Sequence, residues 1–575
     1  MNGAINGEPM PLMTGSRLFA EMLESYGVSH VFYIPAIMLG GIAEMEHMNI
    51  RRIMTHGEKS AAYMADGYAR ASGKPGICMA QQIGASNLAA GLRDAYMGGS
   101  PVIAITGGPP VHAQYRNGYQ EVQDLSQFDA VTKSNVRVDE VSRLPDLLRQ
   151  AFRTATSGAP GPVHLQVRGP HGNSSYAKAE LDLVHEPRFG QVPPFRPVAD
   201  AEAIREAVDL LARAERPIIV AGGGVASSGA QAEVVGLAER LQIPVATSLN
   251  AKGTINEHHP LSVGVVGSYS RECANRAVCE ADLVFFVGSH TGGQVSVDWK
   301  VPGKGTTVIQ LDIDPNELGR NYPNAVSLHG DARATLAAMI AASPSASPEG
   351  RKAWTARTAE LVAEWHDKFD AMLASDAVPI RPERLCKEIT DVLPEGAFVV
   401  CDTGHSGMWC AAMVELTKPG QRFIRAAGSM GWGFPGAMGV KCAYPDRAVV
   451  CFTGDGAFYY HVGELETAAR FGINLVVVVN NNSALNQEIP LWDKVYPTGE
   501  ASRARTEDLW RFEKIDFVAV AKSLGCEGIR VEHPGELKDA LQRALAMNKP
   551  VVVDVISDVA AFAPHGWTSE GRHGY

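Results

Sequence analysis

Two apolar runs in the last third of the chain end in oxygen-bearing side chains. The run 448–452 leads into the sequence GDG, centred on Asp455, and the run 475–479 leads into three asparagines that end at Asn482. Parallel strands of an open α/β sheet present their carboxyl ends at one edge, so Asp455 and Asn482 can converge there. With the backbone carbonyl of Ala484 they would supply hard oxygen ligands, a set that Mg²⁺ completes with phosphate and water. The spacing therefore predicts a magnesium–phosphate site, although GDG alone is also found at ordinary strand-to-helix corners.

A helical pattern over 463–470 follows the GDG turn, which gives the order strand, glycine turn, helix. Glycine lets the backbone approach an oxygen-rich ligand closely, and the free N–H groups at a helix start favour an anion. We therefore expect Gly456 and Ala457 to lie against the phosphate groups of a ligand.

This spacing resembles the cofactor signature of thiamine-diphosphate-dependent enzymes of the acetolactate synthase, pyruvate decarboxylase and 2-hydroxyacyl-CoA lyase superfamily. The resemblance implies that thiamine diphosphate is the cofactor and that Asp455, Asn482 and the carbonyl of Ala484 hold its Mg²⁺. It covers nearly the whole chain, because the sequences at 160–165 and 313–315 are similar to strand ends of the family's first and middle domains. It also implies a homodimer or homotetramer, with each active site between the first domain of one subunit and the third domain of another.

The first part of the chain carries the carboxylate that such an enzyme requires. The segment 55–70, THGEKSAAYMADGYAR, resembles the family's acidic residue and the helix of small residues that follows it. The resemblance implies that Glu58 hydrogen-bonds N1′ of the cofactor's aminopyrimidine and promotes loss of the proton from C2 of the thiazolium. Taken alone, Glu58 is also consistent with a glutamate that stabilises a helix dipole by roughly 0.3 to 1 kcal/mol.

Two further segments resemble parts of the family's cofactor site. The sequence GSMGWGFP is similar to the segment beneath the bent cofactor, with Gly428 at its start and Met430 in place of the bulky apolar residue that supports the bend. The sequence DTGHS resembles the loop that contacts the diphosphate. It implies that Gly404, His405 and Ser406 bind this group, the last two as hydrogen-bond donors.

Departures from the family pattern bear on the substrate. Glu488 stands where acetolactate synthases carry an apolar residue and pyruvate decarboxylase carries a glutamate. It could move protons to or from the reacting carbon or its hydroxyl, or it could be a solvent-exposed turn carboxylate. The sequence QQIGASN at 81–87 replaces the family's SGPG-type turn and leaves Gln82 able to hydrogen-bond a substrate carbonyl.

The middle of the chain also departs from the family pattern. The sequence at 289–294 replaces the segment that helps acetolactate synthase to hold FAD, which disfavours a flavin. The glycine run 222–224 could hold the phosphates of a nucleotide such as the ADP moiety of coenzyme A, although such runs are often plain turns.

These features favour a relative of the 2-hydroxyacyl-CoA lyases, which combine a nucleotide on the middle domain with a C-terminal segment over the site. We expect cleavage of a 2-hydroxyacyl-CoA into an aldehyde or ketone and formyl-CoA, or the reverse addition, with the tail 561–575 as a lid. A 2-oxo acid decarboxylase or an acetolactate-type carboligase is the alternative enzyme. A catalytically silent homologue that binds the cofactor for regulation is the alternative from another class.

The amino-acid composition limits which binding partners and which cellular compartment we expect. A net charge of -11 without a basic run does not provide the phosphate neutralisation that nucleic-acid binding requires. Nine scattered cysteines without a CxxC pair argue against a disulfide framework or a zinc site and favour a reducing cytoplasm. No stretch approaches the roughly 20 apolar residues that span a bilayer, so we expect no membrane partner.

Length and pattern predict an α/β protein with three doubly wound parallel-sheet domains. A chain of 575 residues exceeds the roughly 250 to 300 that one core supports, and short Val-rich runs alternate with helical patterns. The first and third parts share strand and helix spacing, which predicts two related domains with an unrelated one between them. The expected segments are a pyrimidine-binding domain over 1–180, a linker over 181–198, a central nucleotide-binding-like domain over 199–345, a linker over 346–380, a diphosphate-binding domain over 381–560 and the tail.

Overall fold

Three six-stranded sheets organise the protein in the computed structural model, which describes residues 10–344, 350–496 and 505–572. All strands within these sheets run parallel. Because parallel strands are buried on both faces, they need continuous apolar runs such as the VVVV of 476–479. The three α/β domains expected from the sequence are confirmed.

The strands follow the apolar runs of the sequence. The first sheet contains β2 (His30–Tyr33), β3 (Arg51–Met54), β4 (Gly76–Ala80), β5 (Val102–Gly108), β6 (Ser134–Val138) and β7 (Val163–Arg168). The middle sheet contains β9 (Pro217–Ala221), β10 (Val245–Thr247), β11 (Ser262–Val265), β12 (Leu283–Val287), β13 (Thr307–Asp312) and β14 (Val326–His329). The third sheet contains β15 (Phe398–Cys401), β16 (Arg422–Arg425), β17 (Val449–Gly454), β18 (Val476–Asn481), β19 (Glu527–Val531) and β20 (Val551–Ile556). Two antiparallel pairs complete the set: β1 (Leu12–Thr14) with β8 (Lys178–Glu180), and β21 (Trp567–Thr568) with β22 (Gly571–Arg572).

The strand orders separate the middle domain from the other two. Numbered along the chain within each sheet, the strands of the first and third sheets both lie in the order 2-1-3-4-6-5, whereas those of the middle sheet lie in the order 3-2-1-4-5-6. The latter is the order of dinucleotide-binding folds. The prediction of two related domains that flank an unrelated one is therefore correct.

Helices cover the sheets. Those of the first domain are α1 (Gly15–Ser25), α2 (Leu39–Glu44), α3 (Glu58–Ser72), α4 (Ala85–Met97) and α5 (Leu144–Thr156). The middle part contains α6 (Ala201–Arg213), α7 (Gly223–Ser228), α8 (Gln231–Leu241), α9 (Glu272–Glu280), α10 (Gly293–Ser296), α11 (Ala332–Ala342) and α12 (Arg351–Leu373). The last part contains α13 (Pro382–Val392), α14 (His405–Met413), α15 (Gly433–Ala443), α16 (Asp455–Phe458), α17 (Glu464–Phe471), α18 (Ile489–Val495), α19 (Phe517–Ser523) and α20 (Leu537–Ala546). No helix in the described ranges is long and apolar enough to cross a membrane.

The chain forms two compact units. The first unit comprises the residues up to Pro194 together with 427–446 and 461–474, and the second comprises the remainder. The middle and third sheets both belong to the second unit. The segments 427–446 and 461–474 therefore pack with the first domain, although the sequence places them inside the expected diphosphate-binding domain.

Candidate active site

The carboxyl ends of three neighbouring strands carry the predicted cofactor-binding residues of the second unit. Strand β17 pairs with β15 on one side and with β18 on the other. The strand order reverses between β15 and β17, and such a switch point is where open α/β sheets bind ligands. The fold therefore brings Asp455, Asn482 and the loop 404–406 to one edge of this sheet.

The predicted metal ligands converge on one backbone amide. The Ala484 N–H donates to Asp455 Oδ2 at 3.1 Å and to Asn482 Oδ1 at 3.1 Å. Asp455 Oδ1 accepts from the Gly456 N–H at 2.8 Å, so that N–H already has a partner within the turn. Ala457 is buried in the short helix α16.

Burial and the donor set at this edge fit a divalent cation and a diphosphate. Burial raises the pKa of Asp455 to about 7, and a cation beside the carboxylate would favour its ionised form instead. Asn480, which lies in β18 two residues before Asn482, has a buried Oδ1 with no hydrogen-bond partner among the described residues. A carboxylate and amide oxygens are ligands that Mg²⁺ prefers.

The loop after β15 borders the GDG turn. Gly404 has φ 64° and ψ −144°, a conformation that strongly favours glycine, and α14 begins at the next residue. A side chain at Gly454 would meet Ser406 Oγ at 3.5 Å. The N–H groups at the start of α14 and the Ser406 hydroxyl thus lie beside Asp455, where an anion would find hydrogen-bond donors.

Glu58, in the first unit, is held by a second glutamate that the sequence analysis missed. Glu58 opens α3, is half-buried, and its Oε2 accepts from Asn87 Nδ2 at 3.2 Å. The buried carboxylate of Glu464 accepts the N–H of His56 at 3.0 Å and that of Gly57 at 3.1 Å. Glu464 therefore fixes the turn from which Glu58 projects. Its only sequence signal is an acidic residue at the start of the helical pattern 463–470.

The segment with Gly428 and Met430 is anchored by Asp94, another residue that the sequence analysis missed. Asp94 is fully buried in α4, and its carboxylate accepts the backbone N–H groups of Ala427 at 2.7 Å, Gly428 at 3.2 Å and Ser429 at 2.9 Å. Met430 follows directly and is half-buried. The signal that could have identified this anchor is a charged residue on the helix face that also carries the apolar residues Leu88 and Ala95.

An ion network supports this anchor. Arg70 donates to Asp94 at 3.2 Å and to Asp66 at 2.7 Å, and Asp66 accepts from Trp432 Nε1 at 2.8 Å. Arg70 and Asp66 belong to the DGYAR sequence of α3. The two helices α3 and α4 thereby hold the segment before Gly433 in one place.

Gln82 and Glu488 differ in their surroundings. Gln82 lies in a 3-10 turn directly after β4, and both polar atoms of its buried side chain lack hydrogen-bond partners among the described residues. Glu488 ends the 3-10 turn Asn486–Glu488, is half-buried, and lies in the same loop as Ala484. The second unit thus contains Glu488 with the metal and diphosphate residues, whereas Glu58, Gln82, Gly428 and Met430 lie in the first unit.

The glycine run of the middle domain has a packing role. A Cβ atom at Gly222 would lie 2.1 Å from the carbonyl oxygen of Gly288, and one at Gly224 would lie 2.8 Å from Gly288 Cα. The ends of β9 and β12 can approach each other closely only because these residues are glycines. Close packing therefore accounts for Gly222 and Gly224, whereas a side chain at Gly223 would make only an ordinary contact with Asn250 at 3.4 Å.

Comparisons with known proteins define the class. Three family descriptions match successive parts of the chain: "Thiamine pyrophosphate enzyme, N-terminal TPP binding domain" over 13–128, "central domain" over 204–339 and "C-terminal TPP binding domain" over 402–555. The chain belongs to the thiamine pyrophosphate enzyme family and is a thiamine-diphosphate-dependent enzyme.

Named relatives indicate which enzymes of this class the chain is similar to. A probable acetolactate synthase large subunit of Methanocaldococcus jannaschii is 34% identical, over 96% of this chain and 93% of the relative. The acetolactate synthase of Arthrospira platensis is 32% identical, over 94% of both chains. The acetolactate synthase isozyme 1 large subunit of Escherichia coli is 29% identical, over 95% of this chain and 94% of the relative.

These relatives correct the expected reaction. The prediction of a 2-hydroxyacyl-CoA lyase that yields formyl-CoA is wrong, because the full-length relatives are named acetolactate synthases. The prediction gave weight to the glycine run 222–224 and to the tail. Close packing explains two of the three glycines in the run, and a tail beyond the last strand does not identify a thioester.

The metal site gives a first prediction. Asp455→Asn keeps the size of the side chain but removes the only formal charge among the three proposed metal ligands. We expect the Mg²⁺-dependent affinity for thiamine diphosphate to fall roughly 100-fold, or about 2.7 kcal/mol, in a calorimetric titration. Asp539→Asn, which changes an exposed carboxylate on α20, is the control and should bind normally. Equal affinities of the two variants would contradict the assignment.

The Asp94 anchor gives a second prediction. Asp94→Asn places an amide NH₂ against backbone N–H donors and leaves Arg70 with one carboxylate fewer. We expect a loss of about 2 to 4 kcal/mol in the free energy of unfolding, measured with denaturant. Asp146→Asn breaks an exposed pair with Arg143 and should cost less than about 1 kcal/mol. A similarly small loss for Asp94→Asn would show that the anchor contributes little.

Proposed function

We propose that the protein is a Mg²⁺- and thiamine-diphosphate-dependent carboligase similar to acetolactate synthase, which decarboxylates one 2-oxo acid and joins the remaining acyl group to a second. The observation that carries the proposal is the convergence of Asp455, Asn482 and Ala484 at one sheet edge. It occurs in a chain whose acetolactate synthase relatives match it over nearly its whole length.

Each residue has a separate task in this reaction. Thiamine diphosphate, when bound, supplies a carbon that stabilises negative charge next to a carbonyl group. Asp455, Asn482 and the Ala484 carbonyl hold the cation, while Gly404, Ser406, Gly456 and Ala457 border the diphosphate. Glu58 holds a proton against the aminopyrimidine ring, and Met430 supports the ring from the segment that Asp94 anchors. These roles follow from the family resemblance and from the contacts described above.

Glu488 is proposed to move protons on the substrate. It lies four residues after the Ala484 carbonyl, at the start of α18, and its half-buried position leaves it accessible to a ligand. Release of an aldehyde would require the reacting carbon to gain a proton, whereas attack on a second 2-oxo acid would require the new alkoxide to gain one. In both routes the hydroxyl on the reacting carbon must lose its proton before the carbonyl product can leave. The products therefore report which proton Glu488 delivers.

The active site is proposed to form between two copies of the chain, as the family resemblance implies. An exposed apolar surface on the first unit supports this arrangement. In the segment 111–122 the side chains of Val111, Tyr115, Tyr119 and Val122 are between 52% and 81% exposed. Contiguous apolar exposure of this kind marks an interaction surface.

A third prediction tests the reaction. Purified protein with Mg²⁺, thiamine diphosphate and pyruvate should form acetolactate and CO₂. Glu58→Gln, which cannot carry the charge, should lower kcat roughly 100-fold with little effect on the Kd for the cofactor. Gas release and a colorimetric acetolactate assay measure the two products. Acetaldehyde as the main product would favour a decarboxylase, and equal slow exchange of the cofactor C2 proton in both proteins would indicate a silent homologue.

A fourth prediction concerns Gln82, which we propose hydrogen-bonds a substrate carbonyl. A buried amide without partners costs about 1 to 3 kcal/mol, so Gln82→Met should raise the free energy of unfolding by about 1 kcal/mol. The same change should lower kcat/KM for the 2-oxo acid roughly 10-fold, because the substrate loses its partner.

The neighbouring glutamine provides a control of opposite sign. Gln81 is already paired, with Nε2 donating to the Pro35 carbonyl at 3.2 Å and Oε1 accepting from Gln120 at 3.3 Å. Gln81→Met should therefore destabilise the protein. A destabilised Gln82→Met variant with normal kcat/KM would rule out a substrate contact.

A further inference from the structure

Asn486 joins the metal-site loop to the C-terminal tail. It is buried, and its Nδ2 group donates to the carbonyls of Val559 and Ala561, both at 3.0 Å. Its Oδ1 lies 2.9 Å from Nδ1 of His405. One side chain thus contacts the tail on one side and the diphosphate loop on the other.

These contacts determine which nitrogen of His405 carries the proton. A backbone carbonyl can only accept a hydrogen bond, so the two tail carbonyls fix the NH₂ end of the Asn486 amide. The remaining oxygen of the amide faces His405 and can also only accept. Nδ1 of His405 must therefore be the donor, and in the neutral ring Nε2 then has a lone pair and no proton.

The position of His405 makes this tautomer relevant to the reaction. Its neighbour Ser406 borders the GDG turn, and a side chain at Gly404 would meet Gln487 Oε1 at 2.8 Å. The imidazole thus lies among the loops that carry the proposed metal ligands. Burial, and to a smaller extent His565, lower the pKa of His405 to about 4, so the ring is neutral at pH 7.

A neutral ring with its proton on Nδ1 does not suit a diphosphate. Phosphate oxygens accept hydrogen bonds, and a bare Nε2 has nothing to donate to them. It suits a hydroxyl or amino group, which can donate to the lone pair. This conclusion differs from the sequence expectation that His405 donates to the diphosphate alongside Ser406.

We propose that Asn486 is a positioning residue which, together with the carbonyls of Val559 and Ala561, holds His405 as the Nδ1–H tautomer. Nε2 then accepts a hydrogen bond from an O–H or N–H group of the substrate or cofactor. Ser406 remains the donor to the diphosphate. The kinetic part of this inference rests on the proposed function, whereas the tautomer and the cofactor affinity do not.

A pair of adjacent variants separates the two roles. His405→Asn keeps a donor at the position of Nδ1 but removes Nε2. We expect kcat at saturating cofactor to fall roughly 100-fold, with the Kd for thiamine diphosphate changed less than about threefold. Ser406→Ala should chiefly weaken cofactor binding, with the Kd for thiamine diphosphate raised about tenfold. A His405→Asn variant with a Kd raised about tenfold and a normal kcat would overturn the proposal.

The tautomer itself is measurable without turnover. In ¹⁵N-histidine-labelled holoenzyme, the signal that is lost in His405→Asn should show a protonated Nδ1 and an unprotonated Nε2. In Asn486→Leu, which is similar in size but offers no amide, a second tautomer should appear and kcat should fall about tenfold. A protonated Nε2 in the wild-type holoenzyme would overturn the proposal. If wild type forms no acetolactate, the proposed function fails, yet the tautomer and the two cofactor affinities still decide this inference.

Discussion

The site depends on a carboxylate that the fold buries before any cation compensates for it. Asp455 lies at the end of a strand whose residues are all apolar up to Phe452, and its pKa is raised because water is excluded around it. Two backbone N–H groups orient its oxygens, and one of these, that of Ala484, is shared with Asn482. The orientation of the Asp455 carboxylate is thus fixed before a ligand binds, whereas its negative charge would be balanced by the ligand. A cation would supply that balance, which is the basis for the Mg²⁺ and diphosphate site proposed at this edge.

Two domains of this chain share one strand order, and both match thiamine pyrophosphate binding domains. Both the first and the third sheets follow the order 2-1-3-4-6-5, but their strand ends carry different chemistry. The third sheet presents ligands for a charged group, and the first presents Glu58 and Gln82. The long-range carboxylates Asp94 and Glu464 then fix the loops near Glu58 and Met430 by accepting backbone N–H groups. Because the donors are backbone N–H groups, side-chain substitutions in the loop do not remove them.

The features that the sequence predicted depend on residues close together in the chain. The features that it missed depend on residues far apart in the chain. The strands and the metal ligands are local: apolar runs buried on both faces mark β17 and β18, and Asp455 and Asn482 directly follow them. The supporting contacts are not local. Asp94 meets Ser429 across 335 positions and His56 meets Glu464 across 408, and no single-sequence pattern pairs residues at such separations. The wrong expectation of a CoA thioester came from the glycine run at 222–224, where packing against Gly288 and a phosphate loop require the same residue type.

The polar side chains that depart from the family pattern are proposed to bear on specificity rather than on cofactor use. By the resemblance, Gln82 replaces part of a glycine–proline turn and Glu488 stands where acetolactate synthases are apolar. A buried polar group without a partner costs stability, so its presence in a folded enzyme requires an explanation in the bound state. In the proposed function the cofactor is held by Asp455, Asn482, Ser406 and Glu58, which leaves Gln82 for the substrate. Gln82 would then gain its hydrogen-bond partner from a substrate carbonyl.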